Sequence, residues 1–490
     1  MAVLGIDIGT QSLKATILDE SLQAMASADQ SYQPDYPRPG WAEQRPELWL
    51  AALKPVIADV LAQAQLRPAD LAAVAICGQL DGCVATDAEG RALAPAIIWM
   101  DRRAADEIVG IDPRLVQERC GLVLDATHMA AKIAWLARHL DTASEVATWH
   151  QPVSFVVEAL SGARAISHSL ASTTMLYNVN RRGWDSELLA AFGIGERMLP
   201  AICAETDIVG TITVKGAELS GLAPGTPVVA GTGDDFSNPL GCGVTAPGVV
   251  AVSLGTAETV AAIADHAIID PQLLVETHAY PGGRYHLGNP GWLSGGAVRW
   301  AAQLLSIASD EEFSAFAATA PAGCDGLTFI PALSGAMAPK WISSARGSFI
   351  GLSPSHGRAH LARAVLEGTA FAMRDIVDRL AGLGLDTGRL RLMGGGARSD
   401  LWCQIRADVA GRPADILQGG DASATGAALL AAVAAGLASD IASAALTLRL
   451  QLREIAPSRA MTGLYQEAYA SYRARFAALE PVWLTPSGKN

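Results

Sequence analysis

The chain is short of charge, short of aromatics and without any paired-cysteine motif, and each shortage excludes a class of protein. Only 17% of its residues are charged and 6% aromatic, while half are hydrophobic. That is the composition of a packed globular protein, not of a disordered one. The charges are unbalanced, 49 acidic against 36 basic, for a net −13. This argues against a nucleic-acid or anionic-membrane partner, although backbone amides can still bind an anion locally. Seven cysteines are scattered and odd in number, with no CxxC, and read as reduced, mostly buried thiols of a cytoplasmic protein. No cluster of His and Cys has metal-ligand spacing. The longest nearly apolar stretch, residues 424–438, is Ala- and Gly-rich and falls short of the ~20 residues that a membrane span needs. The opening MAVLGIDIG lacks a basic n-region and a cleavage site, so no signal peptide is expected. With 490 residues, two domains of roughly 200–250 residues are expected instead of one core.

What is present is a repeat. VLGIDIGTQSLKATILD at 3–19 reads as a β-hairpin turning at Gly9–Thr10, and VVAVSLGTAETVAAI at 249–263 repeats it. Gly255–Thr256 matches Gly9–Thr10, and Ser253 stands where Asp7 stood. Gly permits close backbone approach, Thr adds a hydroxyl donor, and successive amides can form a nest for phosphate oxygens. Two such turns suggest two clamps on one anion; the alternative is a pair of unrelated hairpins in a glycine-rich protein.

In chain order, residues 31–44 form a loop dense in Pro and aromatics, read either as functional or as a surface crossing. Pro46 opens a helix. Residues 71–77 read as a buried strand that ends in the polar turn Gly78–Gln79–Leu80–Asp81–Gly82. A second strand, 95–100, delivers Trp99, Asp101, Arg102 and Arg103 to a similar edge. Ligands of open α/β sheets bind outside such strand ends. Carboxylate and amide can take hydroxyls and an indole can cover a sugar's apolar face, though each residue taken singly also reads as a cap or surface ion pair. A helix is expected over 125–139. The strand at 224–230 runs into Gly231–Thr232–Gly233–Asp234–Asp235, where an acid either approaches a ligand or caps the next helix. Residues 331–345 are a long loop, and Ser355 or His356 is expected to cap a helix over 359–380. Residues 391–396 form a strand ending in Gly394, Gly395 and Gly396 before a helix, an arrangement that lets a nucleotide pack on bare backbone. Helices at 421–438 and 461–479 complete the chain.

Four stretches in order resemble the FGGY carbohydrate kinases of the actin-like ATPase superfamily. They are GIDIGTQSLKATILD, SLGTAE, ARGSFIGLSPSHGRAHLARAVLEGTAFAMRD and LMGGGARSDLWCQIRADVAG. The third satisfies the family's C-terminal signature from Gly347 to Glu367. The N-terminal signature around Lys132–Leu136 is partial, because Thr127 and Met129 depart from its start. GWAEQRPE, the GQxxG turn, WxDxR and AGTGDD are similar to the xylulokinase branch.

The resemblance implies an α/β protein of two ribonuclease-H-like domains, residues 1–246 and 247–490, with ATP and sugar in the cleft between them. It implies Asp234 as the base that takes the proton of the attacking hydroxyl, and Asp7 with Asp234 at Mg²⁺. Thr10, Gln11, Ser12, Lys14, Gly255 and Thr256 match the phosphate clamps, and Gly394, Gly395, Gly396 and Ser399 the adenosine site. Gln79, Leu80, Asp81, Trp99, Asp101, Arg103 and Asp235 fall to the sugar, D-xylulose first, with another ketose or a polyol such as glycerol next. Xylulokinases commonly carry Met-His where this chain has Leu80–Asp81, and Asn where it has Asp235, so the preferred sugar is expected to differ. Members are often dimeric, which extends to this chain by analogy alone. A chaperone or filament role would need a further domain or polymer contacts, and a dead sensor would not need both Asp7 and Asp234.

Overall fold

The computed structural model describes residues 1–485 and contains two large sheets built to one plan. The first has six strands: β1 (Ala2–Ile8), β2 (Ser12–Leu18), β3 (Ala24–Ser31), β4 (Leu71–Gly78), β5 (Ile208–Thr211) and β6 (Pro227–Gly233), in the order β5-β6-β4-β1-β2-β3. The second has seven: β7 (Val249–Leu254), β8 (Ala257–Ala264), β9 (Glu276–Tyr280), β10 (Arg284–Leu293), β11 (Arg389–Met393), β12 (Ala414–Leu417) and β13 (Leu452–Ile455), in the order β9-β10-β8-β7-β11-β12-β13.

The two orders superpose strand for strand. In each, the first hairpin is antiparallel (β1 with β2, β7 with β8), and its first strand pairs in parallel with a later one (β4, β11). A second parallel pair and an antiparallel edge strand finish each sheet. Only β9 has no counterpart. The repeated Gly-Thr hairpin is thus one piece of a duplicated ribonuclease-H-like fold.

Helix α1 (Pro46–Ala64) buries Trp49, Leu53, Val56 and Val60 against the first sheet. Helix α2 (Met129–His139) starts later than expected, because the Asp125 carboxylate accepts from the Thr127 amide and hydroxyl and holds that stretch as a turn. Helix α3 (Asp234–Gly241) follows β6, and α4 (Arg358–Gly382) is the long buried helix of the second half. Helix α5 (Asp400–Ala410) follows the triple glycine, α6 (Ala422–Ala434) is almost wholly buried, and α7 (Arg459–Leu484) closes the chain. Among the described residues no helix is long and apolar enough to cross a membrane.

Three local expectations are corrected. The second strand near the site is only Ala96–Ile97, paired with Glu43–Gln44, because no long neighbour continues the ladder. Neither Ser355 nor His356 caps α4; its N-cap is Gly357, while both side chains bond to Ser353. The strand expected at 224–230 is shifted to Pro227–Gly233, since Gly225 turns the chain at φ +88°.

The halves are welded through α3 and α6. A Cβ on Gly426 would stand 2.0 Å from the Ser237 carbonyl, and one on Gly5 2.0 Å from that of Ala424. Backbone-to-backbone approach of this kind excludes any side chain, so the Ala/Gly composition of α6 is a packing requirement.

Candidate active site

Two cavities that share one lining residue are walled by residues from both halves of the chain. The larger, of about 540 Å³, is walled on one side by Thr10, Gln79, Leu80, Asp81, Asp234 and Asp235. The smaller, of about 360 Å³, is lined by Lys14, Gly394, Gly395, Gly420 and Asp421. Asn238, on the first turns of α3, lines both.

Asp234 reaches its place through a bulge. The β6–β4 register slips between Val229 and Thr232, and Gly231 sits at φ +76° with its missing Cβ 1.8 Å from the Ile76 carbonyl. Such a bulge re-aims the strand exit, and Asp234 becomes the first residue of α3, where its Oδ1 accepts from the Asp235 amide at 3.0 Å. Burial raises the Asp234 carboxyl above the usual carboxylate range, against the pull of backbone amides and Lys14. Asp235 is raised further, by burial and then by Asp234 and Asp81. Asp7, on β1, is raised well above its ordinary value by burial, then by Asp234 and Asp421. Its Oδ1 is buried with no partner in the chain. Lys14 pairs with Asp421 at 2.8 Å and, against burial, is held as the ammonium by Asp421 and Asp7.

The 79–82 turn is tied to the first hairpin. Gln79 Nε2 donates to Gln44 Oε1 at 2.7 Å, Gln44 Nε2 donates to the Thr10 carbonyl at 2.7 Å, and Trp99 Nε1 donates to Thr10 Oγ1 at 3.0 Å. Asp81 takes left-handed backbone at φ 57°. Gln151 Oε1 accepts its amide and Lys132 Nζ donates to its carbonyl. A non-glycine residue held there marks a carboxylate whose position is fixed by its surroundings.

Not every expected residue reaches a cavity. Asp101 and Arg103 do not line either one. The Asp101 carboxylate accepts from the Ala42 amide and from Arg103, which also pairs with Glu43 at 2.7 Å and stacks 3.6 Å from the Trp41 ring centroid. The neighbouring Trp99 and Arg102 face the larger cavity instead. Gln11, Gly255 and Thr256 are exposed hairpin tips, and the Gly255 and Thr256 carbonyls accept amides of residues 294–296. Ser12 is half-buried on β2. Gly396 packs on Trp402, and Ser399 caps α5 while bonding to Ser314 at 2.7 Å.

Several lining residues escaped the sequence reading: Asn238, His128, Glu276, His278 and His286. His128 lies between a carboxylate of the turn after β4 and one of strand β9, Nδ1 3.3 Å from Asp81 and Nε2 3.6 Å from Glu276. Burial opposes its charge, but Asp81 and Glu276 outweigh that and hold its pKa well above the usual imidazole value. A signal was available in the departure of Thr127 and Met129 from the family pattern, and in the polar Glu-Thr-His run of β9.

Two sheets of one plan thus carry a cavity walled by carboxyl groups and, beside it, a pocket lined by glycines and Lys14. The family model for the N-terminal domain of the FGGY carbohydrate kinases matches residues 2–241, and that for the C-terminal domain matches 250–435. The chain belongs to the FGGY family of carbohydrate kinases and is a sugar kinase. It is 31% identical to the xylulose kinase of Escherichia coli over 98% of this chain and 99% of that protein. It is 32% identical to a glycerol kinase of Thermococcus kodakarensis over 88% of each. The crystal structure of a xylulose kinase from Rhodospirillum rubrum matches with a TM-score of 0.90 at 30% identity, covering 99% of this chain and 100% of that one.

Proposed function

We propose that the enzyme transfers the γ-phosphoryl group of ATP to a hydroxyl of a neutral ketose, D-xylulose first, with Asp234 taking the hydroxyl proton. The observation that carries this is Asp234 itself, raised above the ordinary carboxylate range and recessed in the larger cavity. A base poised nearer neutrality both accepts and releases a proton readily. The smaller cavity suits the nucleotide: Gly394 and Gly395 expose bare backbone, and Lys14 stands where phosphate charge would arrive. Asn238 bridges the two cavities and is placed to touch the group in transfer. The domain division falls between α3 and β7, at residues 246 and 247.

The residues fit Mg²⁺. Asp7 has an unpartnered buried oxygen and is crowded by Asp234 and Asp421. Among the described residues no three or more His, Cys, Asp or Glu form a metal cluster, which suits an ion that keeps its waters and leans on phosphate oxygens. When bound, Mg²⁺ would neutralise charge on the transferring phosphate. All seven cysteines are unpaired, in keeping with a cytoplasmic setting.

Glycerol is the second reading, supported by the Thermococcus relative. Turnover of D-xylulose, ribulose, a tetrulose and glycerol in the wild type and in Asp81→His tests the choice. The substitution is expected to change relative kcat/KM among these acceptors by about tenfold or more while the KM for ATP stays within about twofold. An unchanged ranking would remove Asp81 from the sugar site, and no turnover of any acceptor would remove the kinase reading of this panel.

A further inference from the structure

The larger cavity has a second polar wall that belongs to the other sheet. Strands β9 and β10 present Glu276, His278, His286 and Trp292 to it, opposite the turn that holds Asp81. All four are nine-tenths or more buried. Nδ1 of His278, Nδ1 of His286 and Nε1 of Trp292 have no hydrogen-bond partner within the chain. Buried polar atoms are seldom left so, and three of them on residues of one cavity wall mark a wall whose hydrogen bonding is incomplete within the chain.

We propose that this wall is the distal half of the acceptor site, so that the substrate is a neutral ketose or polyol longer than glycerol, gripped at one end by Asp234 and at the other by Glu276 and His278. The inference rests on the kinase reading and narrows its substrate class. Burial keeps both imidazoles neutral, with His286 lowered to about 3, and a neutral imidazole both donates and accepts, as a hydroxyl does. Four carboxyl groups, Asp81, Asp234, Asp235 and Glu276, line the cavity against the two cations Arg102 and His128, and this balance disfavours a sugar acid. His128 positions the grip: its ring lies between Asp81 and Glu276, so the carboxylates on opposite walls are set by one side chain. Asp81 spans the same distance electrostatically, acting on Asp234 and Asp235 on one side and on His278 on the other. β9 is also the strand with no counterpart in the first sheet. A wall built on it is an addition to the duplicated plan.

The test pairs calorimetric binding with turnover for D-xylulose, a tetrulose and glycerol, in the wild type, Glu276→Gln and His278→Asn. Thermal unfolding within a few degrees of wild type identifies the variants that remain folded, and the two substitutions back each other up. The wild type should bind a ketose at least about tenfold more tightly than glycerol. Each folded variant should raise the KM or Kd of that ketose about tenfold or more, lower the ketose-to-glycerol ratio of kcat/KM, and leave the KM for ATP within about twofold. Ketose binding that both variants weaken, without any turnover, would uphold the wall and sink the kinase reading. Turnover with ketose KM unchanged in both variants would sink the wall alone. Equal preference for glycerol in the wild type, or no binding of any acceptor, would also overturn it.

Discussion

Asp234→Asn should fold, bind ATP as the wild type does, and lose sugar-dependent ADP formation by at least about two orders of magnitude. General bases contribute on the order of 10²–10⁴-fold, and the amide keeps the shape of the side chain while losing the proton acceptor. The hydrogen bond from the Asp235 amide to Oδ1 can still be accepted by the amide oxygen. The change also removes charge that raises Asp7 and Asp235, so a loss of stability is not expected. ADP release with and without acceptor, beside a titration of ATP binding, checks it. A variant retaining more than about a tenth of wild-type turnover would show that positioning and charge neutralisation carry the reaction without this base.

The largest effect on stability is expected at Arg406. Its guanidinium, on α5, donates from both Nη atoms to Glu258 of β8 at 2.5 and 2.6 Å, and Nη2 also reaches Ser294. Neither side chain has any exposure. The pair joins the repeated hairpin to the helix after the triple glycine, so it fixes β8 against α5. Arg406→Leu strands a buried carboxylate and should cost about 3–5 kcal/mol in urea unfolding. Replacing both residues by Leu should recover much of that loss, because the desolvation of both charges is then avoided. A single substitution costing less than about 1 kcal/mol would contradict the role given to the pair.

The duplicated sheets were legible because both hairpins carry their own turn chemistry, Gly-Thr after a short apolar strand, within a few residues of sequence. The positions of Asp7, on β1, and of Asp234, directly after β6, follow from the same kind of local signal. Asp101 and Arg103 were expected beside the cavity but do not line it, because the motif finds the sheet edge and not the direction of each side chain. Trp41 and Glu43 draw Arg103 away, and that contact crosses about sixty positions of sequence. The wall of Glu276, His278 and His286 was not visible for a different reason. In β9 Glu276 and His278 alternate with Thr277 and Ala279, and His286 comes from β10, a pattern any strand can show, and only the packing of β9 beside the 121–128 segment brings its polar side chains toward Asp81.

The most direct measurement of the central claim is ADP release by the wild-type enzyme with Mg-ATP across pentuloses, tetruloses, hexuloses, glycerol and longer polyols. The account predicts that one neutral ketose or polyol longer than glycerol raises turnover well above the acceptor-free rate. ATP binding without stimulation by any of them, or stimulation by glycerol above all others, would contradict it.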